Sequence, residues 1–152
     1  MELAENLHNI EQIKQLKARY CRLLDAKDWL AWRALFADDF VSDTSGSGGK
    51  WIEGADAFVA YVQSTLGKPS RVTVHQIHAP EITLLSATEA EGIWALEDIV
   101  RFFPLLNLRG YGHYHEQYVQ VNGEWKIKHS RLSRLKMELF NGLFAIPLPV
   151  RR

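Results

Sequence analysis

The sequence predicts an α+β fold, a cone-shaped, strongly curved antiparallel sheet with three helices from the N-terminal half enclosing a pocket. Up to about residue 66, apolar side chains recur at the three-and-four spacing of a helix packed on one side. From Val72 onward the period changes to two, the mark of half-buried strands. Helices first and a meander of strands afterwards place the helices on one face of one sheet. At 152 residues the chain has the length of one domain, enough to bury a core without disulfides or metal. Residues 1–152 therefore read as a single domain. In residues 137–152, an apolar run broken by Gly and Pro reads as a C-terminal tail covering the pocket or a neighbouring subunit.

The first element is Ile10 to Trp29. Ile10, Ile13, Leu16, Tyr20, Leu23 and Leu24 form one apolar stripe, and Glu11, Lys14, Lys17 and Arg22 fall mainly elsewhere. Tyr20 lies within the stripe, so its hydroxyl enters the interior and needs a partner or a cavity. Asp25 is out of place, because a carboxylate near a helix C-terminus meets the negative end of the dipole. The wheel alone separates it from Tyr20 by about 140°. A second helix begins at Asp28, a suitable N-cap, with Trp29, Trp32, Leu35 and Phe36 as its apolar edge. Two short strands, from Phe40 and Lys50, flank a glycine-rich hairpin tip at Ser45 to Gly49. Ala55 to Leu66 is the third helix, stopped by Gly67 and Pro69.

Val72 to His78 reads as a strand that Pro80 breaks, with β character resuming at Ile82. In the next strand, Thr88 to Phe103, Ala90, Gly92, Trp94, Leu96, Asp98 and Val100 share a face, making Asp98 the one charge on an apolar surface. Tyr111 to Val121 and Glu124 to Lys136 form a hairpin around Asn122-Gly123, the dipeptide of a type I′ turn. Counting back from that turn sets His113 opposite Leu132 and Tyr111 opposite Arg134. The face bearing Trp125, Ile127 and Tyr118 reads as a subunit interface if the other lines the pocket.

Charge narrows the partners. Eighteen Lys and Arg balance 18 Asp and Glu, so no global field favours nucleic acid or an anionic membrane. The N-terminus lacks a secretory signal pattern, and no run reaches the roughly 20 apolar residues of a membrane span. A cytoplasmic protein binding a small hydrophobic molecule is the expectation. Cys21, the only cysteine, sits at the stripe's edge as a small packing residue rather than a nucleophile. His113 and His115 alternate along a strand as metal ligands can, but no third ligand lies at a recognisable spacing, so no metal is expected and His113 reads as pocket-lining. No phosphate-cradling loop or nucleophile elbow is present.

Ile13-Lys-Gln-Leu-Lys-Ala-Arg-Tyr20, Leu24-Asp25, Val74-His75-Gln-Ile-His78-Ala-Pro-Glu-Ile82, Gly92-Ile-Trp-Ala-Leu-Glu-Asp98 and Asn122-Gly-Glu-Trp125 together resemble the SnoaL-like members of the nuclear-transport-factor-2-like superfamily. Within it the chain looks most like the bile acid 7α-dehydratase branch, related to scytalone dehydratase and hexachlorocyclohexane dehydrochlorinase. The resemblance implies a cystatin-like roll, a homodimer or homotrimer, and elimination without metal or organic cofactor. It carries over Tyr20, Asp25, His75 and Asp98 as catalytic residues and Arg134 as a binding residue, with Trp94, Tyr111 and His113 expected to line the pocket.

Those residue types suit elimination. It needs a base for a C–H proton, a donor for the developing oxyanion, and groups that orient both. His75 can be the base, Asp25 or Asp98 can fix its tautomer, and Tyr20 can donate to a carbonyl or leaving hydroxyl. Arg134 can pair with Asp98 or bind an anionic ligand group. Each has a duller reading as a satisfied core residue or structural ion pair. The expected function is a cofactor-independent, dehydratase-like lyase acting on a hydrophobic ring compound such as a steroid or polyketide. Isomerase or cyclase chemistry would use the same residues. A non-catalytic binding module, or an auxiliary subunit like those of ring-hydroxylating dioxygenases, is the alternative of another class.

Overall fold

A computed structural model describes residues 3–103, 106–141 and 145–148. Helix α1 (Leu3–Ala26) is followed by α2 (Trp29–Arg33), β1 (Phe36–Asp43), a 3₁₀ turn (Ser45–Ser47), β2 (Trp51–Glu53) and α3 (Ala55–Leu66). Four long strands follow, β3 (Thr73–Leu84), β4 (Glu89–Phe103), β5 (Leu106–Val121) and β6 (Glu124–Phe140), then the short β7 (Ala145–Leu148). The strands form one curved, unclosed sheet in the order β2-β1-β6-β5-β4-β3, with β7 paired to the far end of β6. This is the expected α+β architecture with one amendment: β1 runs parallel to β6, and the other pairings are antiparallel.

The stripe on α1 explains its burial. Ile13, Leu16, Tyr20, Leu23 and Leu24 are all buried against the sheet, each full aliphatic burial contributing about 1.5–3 kcal/mol. The helix begins earlier and ends earlier than its apolar period suggests. Lys27 takes a left-handed φ of 59°, and the amides of Lys27 and Asp28 close on the carbonyls of Leu24 and Leu23. Asp28 caps α2 as expected, accepting from the Ala31 amide at 3.2 Å. Phe36 belongs to β1 rather than to α2, its ring packed among Tyr20, Trp32, Phe40 and Phe58.

Strand β4 buries Ala90, Gly92, Trp94, Leu96, Asp98 and Val100, the face its alternation defines. The β5–β6 hairpin keeps the expected register from Val121↔Glu124 to Tyr118↔Ile127 and then slips at two irregularities. One lies between Gln117 and Tyr118, the other between Tyr111 and Gly112. Each adds a residue on β6, so His113 faces Ser133, Gly112 faces Arg134 and Tyr111 faces Lys136.

The inward face of β5 is Gly110, Gly112, Tyr114, Glu116 and Tyr118. Trp125, Ile127 and Tyr118, read above as an interface, are instead in the core. They cannot meet a second subunit, because α1 and the α2–β1 segment cover them. Asn9 accepts a hydrogen bond from Trp125 Nε1, and the Leu35 carbonyl accepts from the Ile127 amide. In the tail, residues 137–140 complete β6 and Ala145–Leu148 pair antiparallel with them. Residues 142–144 and 149–152 lie outside the described residues. No described helix is long and apolar enough to cross a membrane.

Candidate active site

A cavity of about 210 Å³ lies between the helices and the inner face of the sheet. Leu24, Trp32, Phe58, Val62 and Leu132 supply apolar wall, and Tyr20, His75, Asp98, Tyr114, Ser130 and Arg134 are among its polar groups. Concave, mostly apolar space with a few converging polar groups is the usual form of a small-molecule site. A larger cleft of about 410 Å³ lies on the other side of the sheet, bordered by Glu81, Glu91, His115, His129 and Arg131. Its charged rim and lack of an aromatic wall suit solvent better than an apolar ligand.

Asp25, anomalous in sequence, is explained by β3. Its Oδ1 accepts from Thr73 Oγ1 at 2.8 Å, its Oδ2 from the His75 amide at 2.8 Å, and Oδ1 also meets His75 Nδ1 at 2.7 Å. Three donors offset the unfavourable dipole at the end of α1. The carboxylate can only accept, so Nδ1 is the donor in this contact, and in the neutral imidazole the lone pair is then on Nε2. The His75 side chain is only 6% exposed, and it lines the cavity.

Asp98 lies opposite His75 in the β3–β4 ladder, but its partner is Arg134. The pair is bidentate, Nη1 to Oδ1 at 2.6 Å and Nη2 to Oδ2 at 2.7 Å, with both side chains buried. Burial works against the charge on Arg134, yet the hydrogen bonds and the field of Asp98 more than offset it, so the guanidinium holds its proton more tightly than usual. Of the two carboxylates considered for the tautomer, Asp25 fills that role and Asp98 fixes the arginine.

Tyr20 meets Tyr114, which the sequence reading did not single out. Their rings are 5.9 Å apart and meet edge to face at 72°. Burial raises the pKa of both phenols well above the ordinary value, and the field of Glu116 adds to it at Tyr20. Both therefore remain protonated donors. Behind them is a second missed feature. Lys17 and Glu116 form a fully buried ion pair at 2.7 Å, and the Lys17 ammonium lies 3.8 Å and 3.6 Å from the ring centroids of Tyr20 and Tyr114. Lys17 is four residues from Ile13 and three from Tyr20, which puts it on the stripe. That spacing was the available signal.

The remaining candidates lie elsewhere. Trp94 is on the inner face but deeper, donating to the Tyr118 hydroxyl at 2.7 Å and not bordering the cavity. Tyr111 and His113 point to the outer face, because β5 turns its even-numbered residues inward. His115 shares that outer face and meets Ser133 Oγ at 3.1 Å. The exposed His78 alternates away from His75. Burial pushes the Cys21 thiol up to about 11, so at neutral pH it is no nucleophile. Among the described residues, no group of three or more His, Cys, Asp or Glu is placed to hold a metal ion.

Fold and pocket together define a small α+β protein of the SnoaL-like class. Residues 5–131 match the family model of the SnoaL-like domain, and the chain belongs to that family. It is similar to the crystal structure of a scytalone-dehydratase-like protein from Novosphingobium aromaticivorans, at 23% identity over 99% of each chain and a TM-score of 0.81. It is also similar to a type 2 hexachlorocyclohexane dehydrochlorinase, LinA, at 15% identity over 97% of this chain and 94% of that one, TM-score 0.78. The type 3 LinA of Novosphingobium barchaimii aligns at 15% identity over 97% and 94%, TM-score 0.77.

Proposed function

We propose that this protein is a dehydratase-like lyase that works with its own side chains on a compact, hydrophobic, cyclic hydroxy-ketone. One observation carries the reading. A histidine whose Nδ1 is held by Asp25 shares an apolar cavity with two phenols that stay protonated. The dehydratase and dehydrochlorinase names among the structural relatives support an elimination.

In the proposed reaction, His75 Nε2 takes the proton from the carbon beside the ketone. The electron pair moves onto the carbonyl oxygen, where the Tyr20 and Tyr114 hydroxyls stabilise the enolate. The enolate then re-forms the carbonyl and expels hydroxide from the β carbon, and the imidazolium of His75 returns its proton to make water. Asp25 stabilises the imidazolium between these steps, and the Asp98–Arg134 pair fixes the far wall and the ligand's orientation. At about 210 Å³, the cavity is below the roughly 300–1,000 Å³ of drug-sized sites. That favours a one- or two-ring polyketide-like compound over a four-ring steroid. Self-association as a dimer or trimer belongs to the same proposal, and it would use a surface other than the buried Trp125 face. Light scattering at micromolar concentration tests it.

The test of function is incubation with a panel of cyclic β-hydroxy ketones, following enone absorbance and product mass, for wild type and His75→Ala. Loss of water with wild type alone supports the lyase. Turnover with an unchanged molecular formula would assign isomerase chemistry to the same residues. If no ring compound binds or reacts and His75→Ala behaves as wild type, the reading falls and a non-catalytic binding module takes its place.

A further inference from the structure

The mechanism above leaves unused a charge pair that is completely buried. Lys17 Nζ donates to Glu116 Oε1 at 2.7 Å, and neither side chain touches solvent. Glu116 also accepts from Ser130 Oγ at 2.9 Å and from the Tyr118 hydroxyl at 2.5 Å, and Trp94 Nε1 donates to that same hydroxyl. Well-packed apolar residues are often as stabilising as a buried ion pair, or more so. Folding alone therefore gives little reason for this one. Its place in the molecule gives a better one: the ammonium lies against the faces of Tyr20 and Tyr114, and both tyrosines and Ser130 border the cavity.

We infer that Lys17 and Glu116 are positioning residues that make Tyr20 and Tyr114 strong hydrogen-bond donors to an oxyanion in the cavity. The inference rests on the proposed reading of the cavity as a place where negative charge develops on oxygen. A cation against an aromatic face is attracted to the ring's electrons, and it draws density away from the phenol oxygen, leaving the O–H bond more polar. The effect is large here because water is excluded. Glu116 on its own opposes ionisation of Tyr20. Lys17, its ammonium 3.8 Å and 3.6 Å from the two ring centroids and hydrogen-bonded to that carboxylate, acts on the rings in the opposite sense. The same contact fixes both rings, so the donors are aimed before any ligand arrives.

The experiment compares wild type with Lys17→Met/Glu116→Gln, which removes both charges together, using 2-naphthol as the probe. Naphtholate absorbance reads the apparent pKa of the bound probe. Wild type is expected to lower that pKa, and the double variant to raise it again by about one unit, roughly a tenfold loss of naphtholate over naphthol binding. Equal probe pKa values in two folded proteins would overturn the inference. If the methionine variant does not fold, Lys17→Gln/Glu116→Gln keeps a hydrogen-bonded neutral pair and takes its place.

A wild type that fails to bind 2-naphthol would count against the cavity reading by itself. The inference would then be decided without ligand by the ¹³Cζ resonances of Tyr20 and Tyr114, assigned with Tyr20→Phe and Tyr114→Phe. Movement of both in the neutral-pair variant supports it, and unmoved resonances overturn it. A merely structural pair would leave both the probe pKa and these resonances unchanged.

Discussion

Gly110 pairs directly with Asp98 across the β4–β5 ladder, and the space its missing side chain leaves is filled by the Asp98–Arg134 ion pair. A Cβ built there would collide with Arg134 Nη1 and Asp98 Oδ1. The irregularity at Tyr111 and Gly112 completes the arrangement by setting Arg134 opposite Gly112, so that a long side chain reaches inward over a strand with no side chains at two successive inward positions. Glycine, register slip and ion pair are one device.

Gly110→Ala is therefore expected to separate Asp98 from Arg134 with no change in net charge. Breaking a buried pair costs about 3–5 kcal/mol, and part of this is recoverable by movement of the arginine. A loss of about 2–3 kcal/mol is the expected outcome, read from urea unfolding, together with weaker binding of any cavity ligand. A melt indistinguishable from wild type would show that the pair does not need the glycine.

Asp25→Asn tests the histidine. The asparagine can still accept from Thr73 or the His75 amide, but its neutral side chain no longer stabilises an imidazolium and can present an NH₂ to Nδ1, reversing the tautomer. Turnover of a substrate found in the ketone panel should fall by about 10²–10⁴-fold, the usual range for a general base, with ligand affinity changed little. An equal loss of affinity and turnover would instead mark Asp25 as a residue that only shapes the site.

Much of this was legible in the sequence, for identifiable reasons. The α3 boundaries and the buried face of β4 follow from strict periods of 3.6 and two with clear stop residues. Tyr20, His75, Asp98 and Arg134 border one cavity, and Asp25 holds the histidine. Counting by twos back from Asn122-Gly123 cannot see an extra residue in β6, and the two slips there set Arg134 opposite Gly112 rather than Tyr111. Tyr111 and His113 suggest the odd-numbered face of β5 as the inner one, although Gly110, Gly112, Tyr114 and Tyr118 lie together on the other. The charge of Lys17 suggests the polar side of α1, although its spacing places it among Ile13, Leu16 and Tyr20.

Lys17→Met alone should be much worse than the neutral double variant. It strands the Glu116 carboxylate in the core with two hydroxyl donors and no cation, which costs about 3–5 kcal/mol. Lys17→Met/Glu116→Gln should recover most of that in the same urea titration. The double-mutant cycle gives the coupling directly, and a single variant as stable as the double would mean that Glu116 is satisfied without Lys17.

The buried thiol gives the fold an alkaline limit. Burial raises Cys21 from an ordinary 9.0 to about 11, so the folded state holds this proton more tightly than the unfolded chain does. Below about pH 8 the thiol is protonated in both states and stability is unaffected. Between about pH 9 and 11 the unfolded chain releases the proton first, and folding stability falls, by up to about 2–3 kcal/mol at the full two-unit difference. Tyr20 and Tyr114, also raised by burial, act with the same sign from about pH 10 upward. Cys21→Ala should lower stability at neutral pH through lost packing and yet show a shallower decline between pH 8 and 10, before the tyrosines dominate. Parallel slopes for the two proteins in that interval would show that the thiol ionises in the folded state as readily as in water.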